Sequence, residues 1–129
     1  MEFETPCVCA TLRRAARAVT AAYDAALAPS GLRITQFSIL CKLARLGPLP
    51  VTRLAAEAAL DRSTMGRNLN PLERRGLVRI EVGNVDQRER VAYLTAAGFS
   101  TCRRRERSTT IIDRLWRLQH YVITLRRLR

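Results

Sequence analysis

Short polar side chains and arginines cluster between residues 61 and 75, with a spacing that favours contact with a polyanion. Asp61 is a good N-cap, so a helix is predicted from Arg62 to about Arg75. Arg62 opens this helix, and its polar face carries Ser63, Thr64, Arg67, Asn68 and Arg74. Such side chains reach base edges and phosphates when a helix enters the major groove of duplex DNA. A solvated amphipathic helix without a ligand is the alternative.

The opposite face of the same helix is apolar. Met65, Leu69 and Leu72 stand at i, i+4 and i+7, which predicts one buried stripe. Gly66 and Pro71 are poor interior residues, and Pro71 costs roughly 3 kcal/mol in an ordinary helix. We therefore expect a bend near residues 67–70, and we expect Gly76 to end the helix as a left-handed C-cap.

A shorter helix is predicted just before this one. Thr52 is the expected cap, and Leu54, Ala55 and Ala58 fall on one face at helical spacing. Leu60 is expected to end the helix against the core. The two helices together have the order of a helix-turn-helix.

A two-stranded ribbon is predicted after the second helix. Apolar residues alternate with charged ones over residues 78–82, and residues 91–93 repeat the alternation after the turn-rich residues 83–87. Arg88 and Arg90 lie near the tip, where a cation can enter the narrow minor groove. Asp86 is placed to hold the Arg88 guanidinium. Alternatively, Asp86 and Arg88 form an exposed ion pair worth under about 1 kcal/mol.

These parts, in this order, predict a winged helix-turn-helix, a mainly α fold with a small β-hairpin wing. The flanking regions supply the scaffold. A first helix is predicted from a cap at Thr5 and Pro6, with a seam from Leu12 to Leu27 that ends at residues 29–31. A further helix is expected from a cap at Thr35, with a core that includes Phe37, Leu40 and Cys41, to a stop at residues 47–48.

The C-terminal region is rich in arginine and lacks alanine. Ile111, Leu115, Leu118, Val122 and Leu125 form a helical seam, so a helix is predicted from about Ser108 to Leu128, pairing with the first helix of a partner subunit. The arginines at 103, 104, 105 and 107 are expected on the turn before it. We interpret this cluster as a solvated charge run in preference to a phosphate contact.

Several short motifs stand in the order and at the spacing of a known family, namely Gly31-Leu32-Arg33-Ile34-Thr35-Gln36-Phe37, Leu54-Ala55, Asp61-Arg62-Ser63-Thr64, Arg67-Asn68-Leu69, Leu72-Glu73-Arg74-Arg75-Gly76-Leu77-Val78, Asp86-Gln87-Arg88 and Leu94-Thr95-Ala96-Ala97-Gly98. Over roughly residues 7 to 98 the chain resembles the MarR family of bacterial transcription regulators. The resemblance implies an obligate homodimer, a recognition helix from Arg62 to Arg75, and a wing whose Asp86 and Arg88 place the arginine in the minor groove.

The expected function is that of a sequence-specific regulator of transcription. It would bind a pseudo-palindromic operator in double-stranded DNA as a homodimer, with repression as the favoured mode and relief by a small-molecule effector or an oxidant. The expected organisation is one domain over 1–129, with a DNA-binding core at 31–98 between dimerisation helices in 1–30 and 99–129. The alternatives are a redox or small-molecule sensor with secondary DNA affinity, and a basic RNA-associated module.

Composition limits these alternatives. The net charge of +12 favours a polyanionic partner, although DNA, RNA and an acidic membrane all attract arginine. Aromatic residues are few, at 5%, which disfavours base stacking on single strands or RNA. Neither a signal peptide nor an apolar run near 18 residues occurs, so no membrane partner and a cytoplasmic location are expected.

The remaining candidate chemistry belongs to the cysteines. Cys7 and Cys9 fall in the first turn of the first predicted helix, which makes them candidate redox residues, while a small buried apolar role is the alternative. A zinc site is not expected, because Cys-x-Cys with a distant His120 lacks the ligand spacing. No catalytic residue, metal or cofactor is predicted, since the chain has neither paired carboxylates on one face nor a phosphate-binding glycine loop.

Overall fold

The computed structural model describes residues 7 to 106, which contain five α-helices and three short strands. The helices are α1 (Val8–Leu27), α2 (Ile34–Leu46), α3 (Val51–Glu57), α4 (Arg62–Arg74) and α5 (Ala96–Glu106), and the strands are β1 (Leu49–Pro50), β2 (Val78–Val82) and β3 (Arg90–Leu94). The predicted fold class, mainly α with a small hairpin wing, is confirmed. The helix predicted from Ser108 to Leu128 and the cap at Thr5 and Pro6 lie outside the described residues.

The chain divides into two compact units, and the boundary in the sequence lies between Ile34 and Thr35. The first unit contains α1 and a 3₁₀ turn at Ala28–Ser30. Its helix ends as predicted, because Gly31 has a φ of 68° and the Ser30 hydroxyl donates to the carbonyl of Leu27 at 2.6 Å. The cap predicted at Thr35 is wrong, since α2 already begins at Ile34, whose N–H donates to Asp24 Oδ1 at 2.7 Å.

The described part of the second unit has an apolar core to which α2, α3, α4 and α5 contribute. α3 contacts α4, β1 and β3, and α4 contacts β2. The cap predicted at Thr52 is wrong, because α3 begins at Val51 after Pro50 and no side chain caps it. The buried side chains of this unit include Phe37, Ile39, Leu40 and Leu43 of α2, Leu54 and Ala55 of α3, Met65, Leu69 and Leu72 of α4, and Leu77, Val78, Ala92 and Cys102.

The sheet has three antiparallel strands in the order β1-β3-β2. The long pair is the predicted ribbon, in which Val78 lies opposite Leu94 and Val82 lies opposite Arg90. The third strand adds Leu49 opposite Ala92 at the other edge of β3. This strand was not predicted, because two residues cannot show an alternating pattern and one of them is Pro50.

Helix α5 begins directly after the sheet and also was not predicted. Thr95 caps it, since the N–H of Gly98 donates to Thr95 Oγ1 at 3.1 Å. A Cβ on Gly98 would clash with the carbonyl oxygen of Leu77, so only glycine allows this approach. The expectation of a turn at Arg103 and Arg104 is therefore wrong, because both residues lie within α5.

Candidate nucleic-acid interface

The first turn of α4 is fixed by the predicted cap at Asp61. The Thr64 N–H donates to Asp61 Oδ1 at 2.8 Å, and the Thr64 hydroxyl donates to Oδ2 at 2.7 Å. These two hydrogen bonds, with a smaller contribution from the charge of Arg67, lower the pKa of Asp61 below its usual value of 3.8. The carboxylate therefore stays ionised and holds the N-terminal turn in one geometry.

The two faces of α4 separate as the sequence predicts. Met65, Leu69 and Leu72 are buried. Arg62, Ser63 and Arg67 are exposed on the N-terminal half. Because the apolar stripe anchors the helix in the core, the exposed side chains project from a rigid support.

Two of the predicted contact residues are partly engaged inside the helix. Thr64 and Asn68 are half-buried, and Asn68 Nδ2 donates to the carbonyl of Thr64 at 2.8 Å. The Thr64 hydroxyl already donates to Asp61. The single hydroxyl donor of Thr64 and one of the two N–H donors of Asn68 are thus occupied, which leaves Arg62, Ser63 and Arg67 as the more accessible donors.

The helix runs from Arg62 to Arg74 across both residues expected to disturb it. Pro71 lies inside the helix, and a side chain at Gly66 would meet no atom within 4 Å. Gly66 thus leaves open space beside the polar face, which lets a ligand approach the backbone closely. The bend near residues 67–70 stays a prediction.

The C-terminal end of α4 is joined to the wing and to the start of α5 by side chains that the sequence analysis did not single out. Glu73 Oε2 accepts a hydrogen bond from the Ile80 N–H at 3.0 Å. Thr95 Oγ1 donates to the carbonyl of Gly76 at 2.6 Å, where a φ of +70° confirms the predicted left-handed cap. The cap signal at Thr95, a threonine followed by small helix formers, was readable from sequence; the reach of Glu73 to β2 was not.

The turn of the wing is held by its backbone and by Asp86. Asp86 Oδ1 accepts the Arg88 N–H at 2.9 Å, the Glu89 N–H donates to the Asp86 carbonyl, and the Gly83 N–H donates to the Glu89 carbonyl. A Cβ on Gly83 would lie 2.8 Å from the Asp86 carbonyl oxygen, so this turn needs glycine there. Asp86 therefore shapes the turn that presents Arg88.

The prediction that the Asp86 carboxylate holds the Arg88 guanidinium is wrong. Within residues 7–106, Asp86 contacts the backbone of Arg88 and no ion pair joins the two side chains. Arg88 and Arg90 are both exposed, and Arg90 begins β3 opposite Val82. The guanidinium of Arg88 is thus presented by the turn without being held in one orientation.

A third arginine of the wing has partners within its own strand pair. Arg79 forms an ion pair with Glu81 and lies over the ring of Tyr93, with the guanidinium carbon 5.1 Å from the ring centroid. These contacts hold Arg79 against the ribbon. Arg88 and Arg90 are therefore the wing cations best placed to reach a ligand.

The cysteines fall into two environments. Cys7 and Cys9 are exposed, with Cys7 at the N-cap of α1, whereas Cys41 is buried as predicted and Cys102 is buried as well. Across the described part of the chain, no cluster of three or more histidine, cysteine, aspartate or glutamate residues is arranged to bind a metal. Over the same residues, no helix is both long and apolar enough to cross a membrane.

Comparisons with known proteins agree with this geometry. The family model for the MarR family matches residues 32–89. The structure is similar to the Mycobacterium tuberculosis transcriptional regulator MosR, solved in complex with DNA, at 33% identity over 93% of this chain and 98% of that chain, with a TM-score of 0.70. It is also similar to CouR, a transcriptional repressor solved on a 23-mer DNA duplex, at 26% identity over 99% and 96% of the two chains, with a TM-score of 0.76.

A third similarity concerns the fold alone. Bordetella bronchiseptica BpsR, whose DNA binding is regulated by 6-hydroxynicotinic acid, shares 21% identity over 99% of this chain and 96% of its own, with a TM-score of 0.72. No curated protein sequence matches the chain.

Proposed function

The chain belongs to the MarR family of transcription regulators, and we propose that it binds a specific operator in double-stranded DNA as a homodimer and represses transcription. The family consists of regulators and not of enzymes, which confirms the expectation that this chain is not an enzyme. Such a regulator would act in the bacterial cytoplasm, where the chromosome lies. The similarity to the repressor CouR supports repression as the mode.

One observation carries the proposal. A helix capped by Asp61 is anchored by three buried residues and exposes Arg62, Ser63 and Arg67 on its N-terminal half, and the next element is a ribbon with exposed Arg88 and Arg90. A helix N-terminus with such side chains fits the major groove, and a ribbon with cations at its tip fits the minor groove.

Exposed apolar residues on α1 support the homodimer. Val8, Leu12 and Val19 recur at helical spacing and remain exposed in the single chain. An apolar stripe of this kind is covered in a stable soluble protein, and a second copy of α1 with the predicted C-terminal helix is the proposed cover. A two-fold dimer would place two copies of α4 on one face of the duplex.

The test of this proposal is selection of duplex fragments by the purified protein, followed by binding titrations. Two recognition helices related by a two-fold axis require inverted half-sites with centres about 10 base pairs apart. The affinity should fall with salt, with a log-log slope of roughly −0.9 for each neutralised phosphate. Selected fragments without inverted symmetry, or a slope near zero, would contradict the proposed docking.

Two substitutions separate the roles of helix and wing. Arg67→Ala should lower affinity by about 1 to 3 kcal/mol and relax base preference, because one base contact is worth that much. Arg88→Ala should weaken binding to most sequences alike, since a minor-groove arginine reads width more than base identity. Arg45→Ala, which removes an exposed arginine at the end of α2, is the charge-matched control. Equal and sequence-independent losses at Arg67 and Arg88 would overturn the assignment.

The exposure of Cys7 and Cys9 favours an oxidant as the signal that relieves repression. We expect peroxide to change the DNA affinity of the native protein and to leave that of a Cys7→Ser, Cys9→Ser variant unchanged. The same response in both proteins, or no response in the native one, would remove this regulatory role. Relief by a small-molecule effector stays a prediction.

A further inference from the structure

Two buried thiols lie in contact in the core of the second unit. Cys41 on α2 and Cys102 on α5 place their Sγ atoms 2.8 Å apart, across 61 positions of sequence. Cys41 is 9% exposed and Cys102 is 3% exposed. The sequence alone presented Cys41 as an apolar core residue and gave no role to Cys102.

The distance distinguishes a thiol pair from ordinary apolar packing. Apolar atoms in contact lie about 3.5 to 4.0 Å apart, so these sulfur atoms are closer than packing requires. At 2.8 Å, one thiol donates a hydrogen bond to the other. A disulfide bond is about 2.05 Å long, so its formation would move the two sulfur atoms by less than about 1 Å in total.

We propose that Cys41 and Cys102 are a modification site at which a small hydroperoxide forms an intramolecular disulfide between α2 and α5. The Cys41 thiolate attacks the distal peroxide oxygen, the O–O bond breaks, and Cys41 becomes a sulfenic acid while the leaving alkoxide or hydroxide takes a proton. The Cys102 sulfur then attacks the Cys41 sulfur, the S–O bond breaks, and water leaves. Both sulfurs are oxidised, and the peroxide is reduced to water and an alcohol, or to two waters.

Burial sets the order and the rate of these steps. Cys41 is the more exposed of the two, so it is the site of peroxide attack, and Cys102 resolves the sulfenic acid. Buried thiols react slowly, so this pair is oxidised after the exposed Cys7 and Cys9. Because the resolving thiol is already in contact, disulfide formation precedes further oxidation of Cys41.

The disulfide would enclose the DNA-binding elements in one covalent loop. Helices α3 and α4 and both strands of the wing lie between Cys41 and Cys102 in the chain. Cross-linking a loop of this size restricts the unfolded chain, which should raise the melting temperature by roughly 5 to 15 °C. This modification site is independent of whether the protein binds DNA.

The test uses the full-length Cys7→Ser, Cys9→Ser variant, in which Cys41 and Cys102 are the two remaining thiols. After treatment with hydrogen peroxide, the intact mass should fall by two hydrogens without gain of oxygen. Peptide mapping under non-reducing conditions should link the peptide of Cys41 to that of Cys102. The melting temperature should rise and return to its starting value after dithiothreitol.

Two further variants serve as controls in the same background. With Cys102→Ser or Cys102→Ala, peroxide should add oxygen to Cys41 without raising the melting temperature, because no resolving thiol is present. The main measurement needs no substitution in the core, so a folding defect in these variants does not affect it. Two thiols that still react with an alkylating reagent after peroxide treatment and unfolding, or a disulfide between subunits, would overturn the proposal.

Discussion

Helices α1 and α4 carry similar apolar stripes but bury them to different extents. In α4, Leu69 is 1% exposed and Met65 and Leu72 are 0% exposed, whereas in α1, Leu12 is 63% exposed and Val19 is 47% exposed. Both stripes were visible in the sequence at helical spacing. The periodicity of a helix therefore identifies its apolar face, but the structure of one chain decides whether that chain covers it.

The ends of the two helices differ in the same way. Asp61 caps α4 through two hydrogen bonds from Thr64, and Glu73 joins its last turn to β2. Helix α1 begins at Val8, its N-cap residue Cys7 makes no side-chain cap hydrogen bond, and its first turn has no acidic residue. Helix α4 is thus held in place by contacts within its own chain, as a helix that docks on a ligand requires. The stability of α1 depends instead on what covers its apolar stripe.

The largest effect is expected from truncating the buried stripe of α4. Leu69→Ala should lower the free energy of unfolding by about 2 to 5 kcal/mol, because it removes buried methyl groups and leaves a cavity. Chemical denaturation measures the change. Val85→Ala, at an apolar residue that is 101% exposed in the wing, should stay within about 0.5 kcal/mol of the native protein. Similar losses for the two variants would mean that α4 is not anchored by this face.

Substitutions in the exposed apolar stripe of α1 should weaken dimerisation and leave the folding of the single chain unchanged. Leu12→Asp should weaken dimerisation by about 2 kcal/mol or roughly 30-fold, since a leucine side chain of this size is worth about 1.5 to 3 kcal/mol when buried. Sedimentation over a concentration series gives the dissociation constant. Ala10→Asp introduces the same charge on the opposite side of α1 and is the matched control. A dimer that is unaffected by Leu12→Asp would place the interface elsewhere.

A smaller effect is expected at the junction between α4 and the wing. Glu73→Ala removes the acceptor of the Ile80 N–H, and an exposed hydrogen bond of this kind is worth about 0.5 to 1.5 kcal/mol. Hydrogen exchange of the Ile80 amide should accelerate by about threefold to tenfold, whereas amides at the first turn of α4 should exchange as in the native protein. Acceleration spread evenly over the helix would indicate loss of general stability and not of this contact.

Much of the DNA-binding core follows from sequence because its signals are local. The cap at Asp61, the apolar stripe of α4 and the left-handed Gly76 each depend on neighbours within a few residues, and all three were predicted. Strand β1 and the contact of Glu73 with Ile80 depend on residues brought together by folding, so no local pattern shows them. The thiol pair is the extreme case, since 61 positions separate Cys41 from Cys102.

The predictions from sequence were wrong where another group or a neighbouring residue interfered with the expected hydrogen bond. Asp86 and Arg88 have the spacing of an ion pair, but the Asp86 carboxylate accepts a hydrogen bond from the Arg88 backbone N–H instead. Aspartate in a turn commonly bonds in this way to the backbone two residues further along the chain. Thr52 and Thr35 have the chemistry of caps, yet Pro50 precedes the first turn of α3 and Asp24 accepts the Ile34 N–H. At Arg88 and at the start of α2 a better-placed group filled the predicted role, whereas the start of α3 at Pro50 has no side-chain cap.

The smallest effect concerns the pH dependence of the α4 cap, which α1 lacks. Hydrogen bonds from Thr64 lower the pKa of Asp61 below 3.8, so the folded protein binds this proton less readily than the unfolded chain. The stabilisation is therefore present above pH 3.8 and is lost as the pH falls through the lowered folded-state pKa.

We expect the urea midpoint of the native protein to decline relative to that of Asp61→Asn as the pH falls through this window, because asparagine caps without titrating. Thr64→Ala, which removes the hydroxyl that donates to Asp61, should reduce the decline. A constant difference between native protein and Asp61→Asn across the window would show that the cap does not depend on the charge of Asp61.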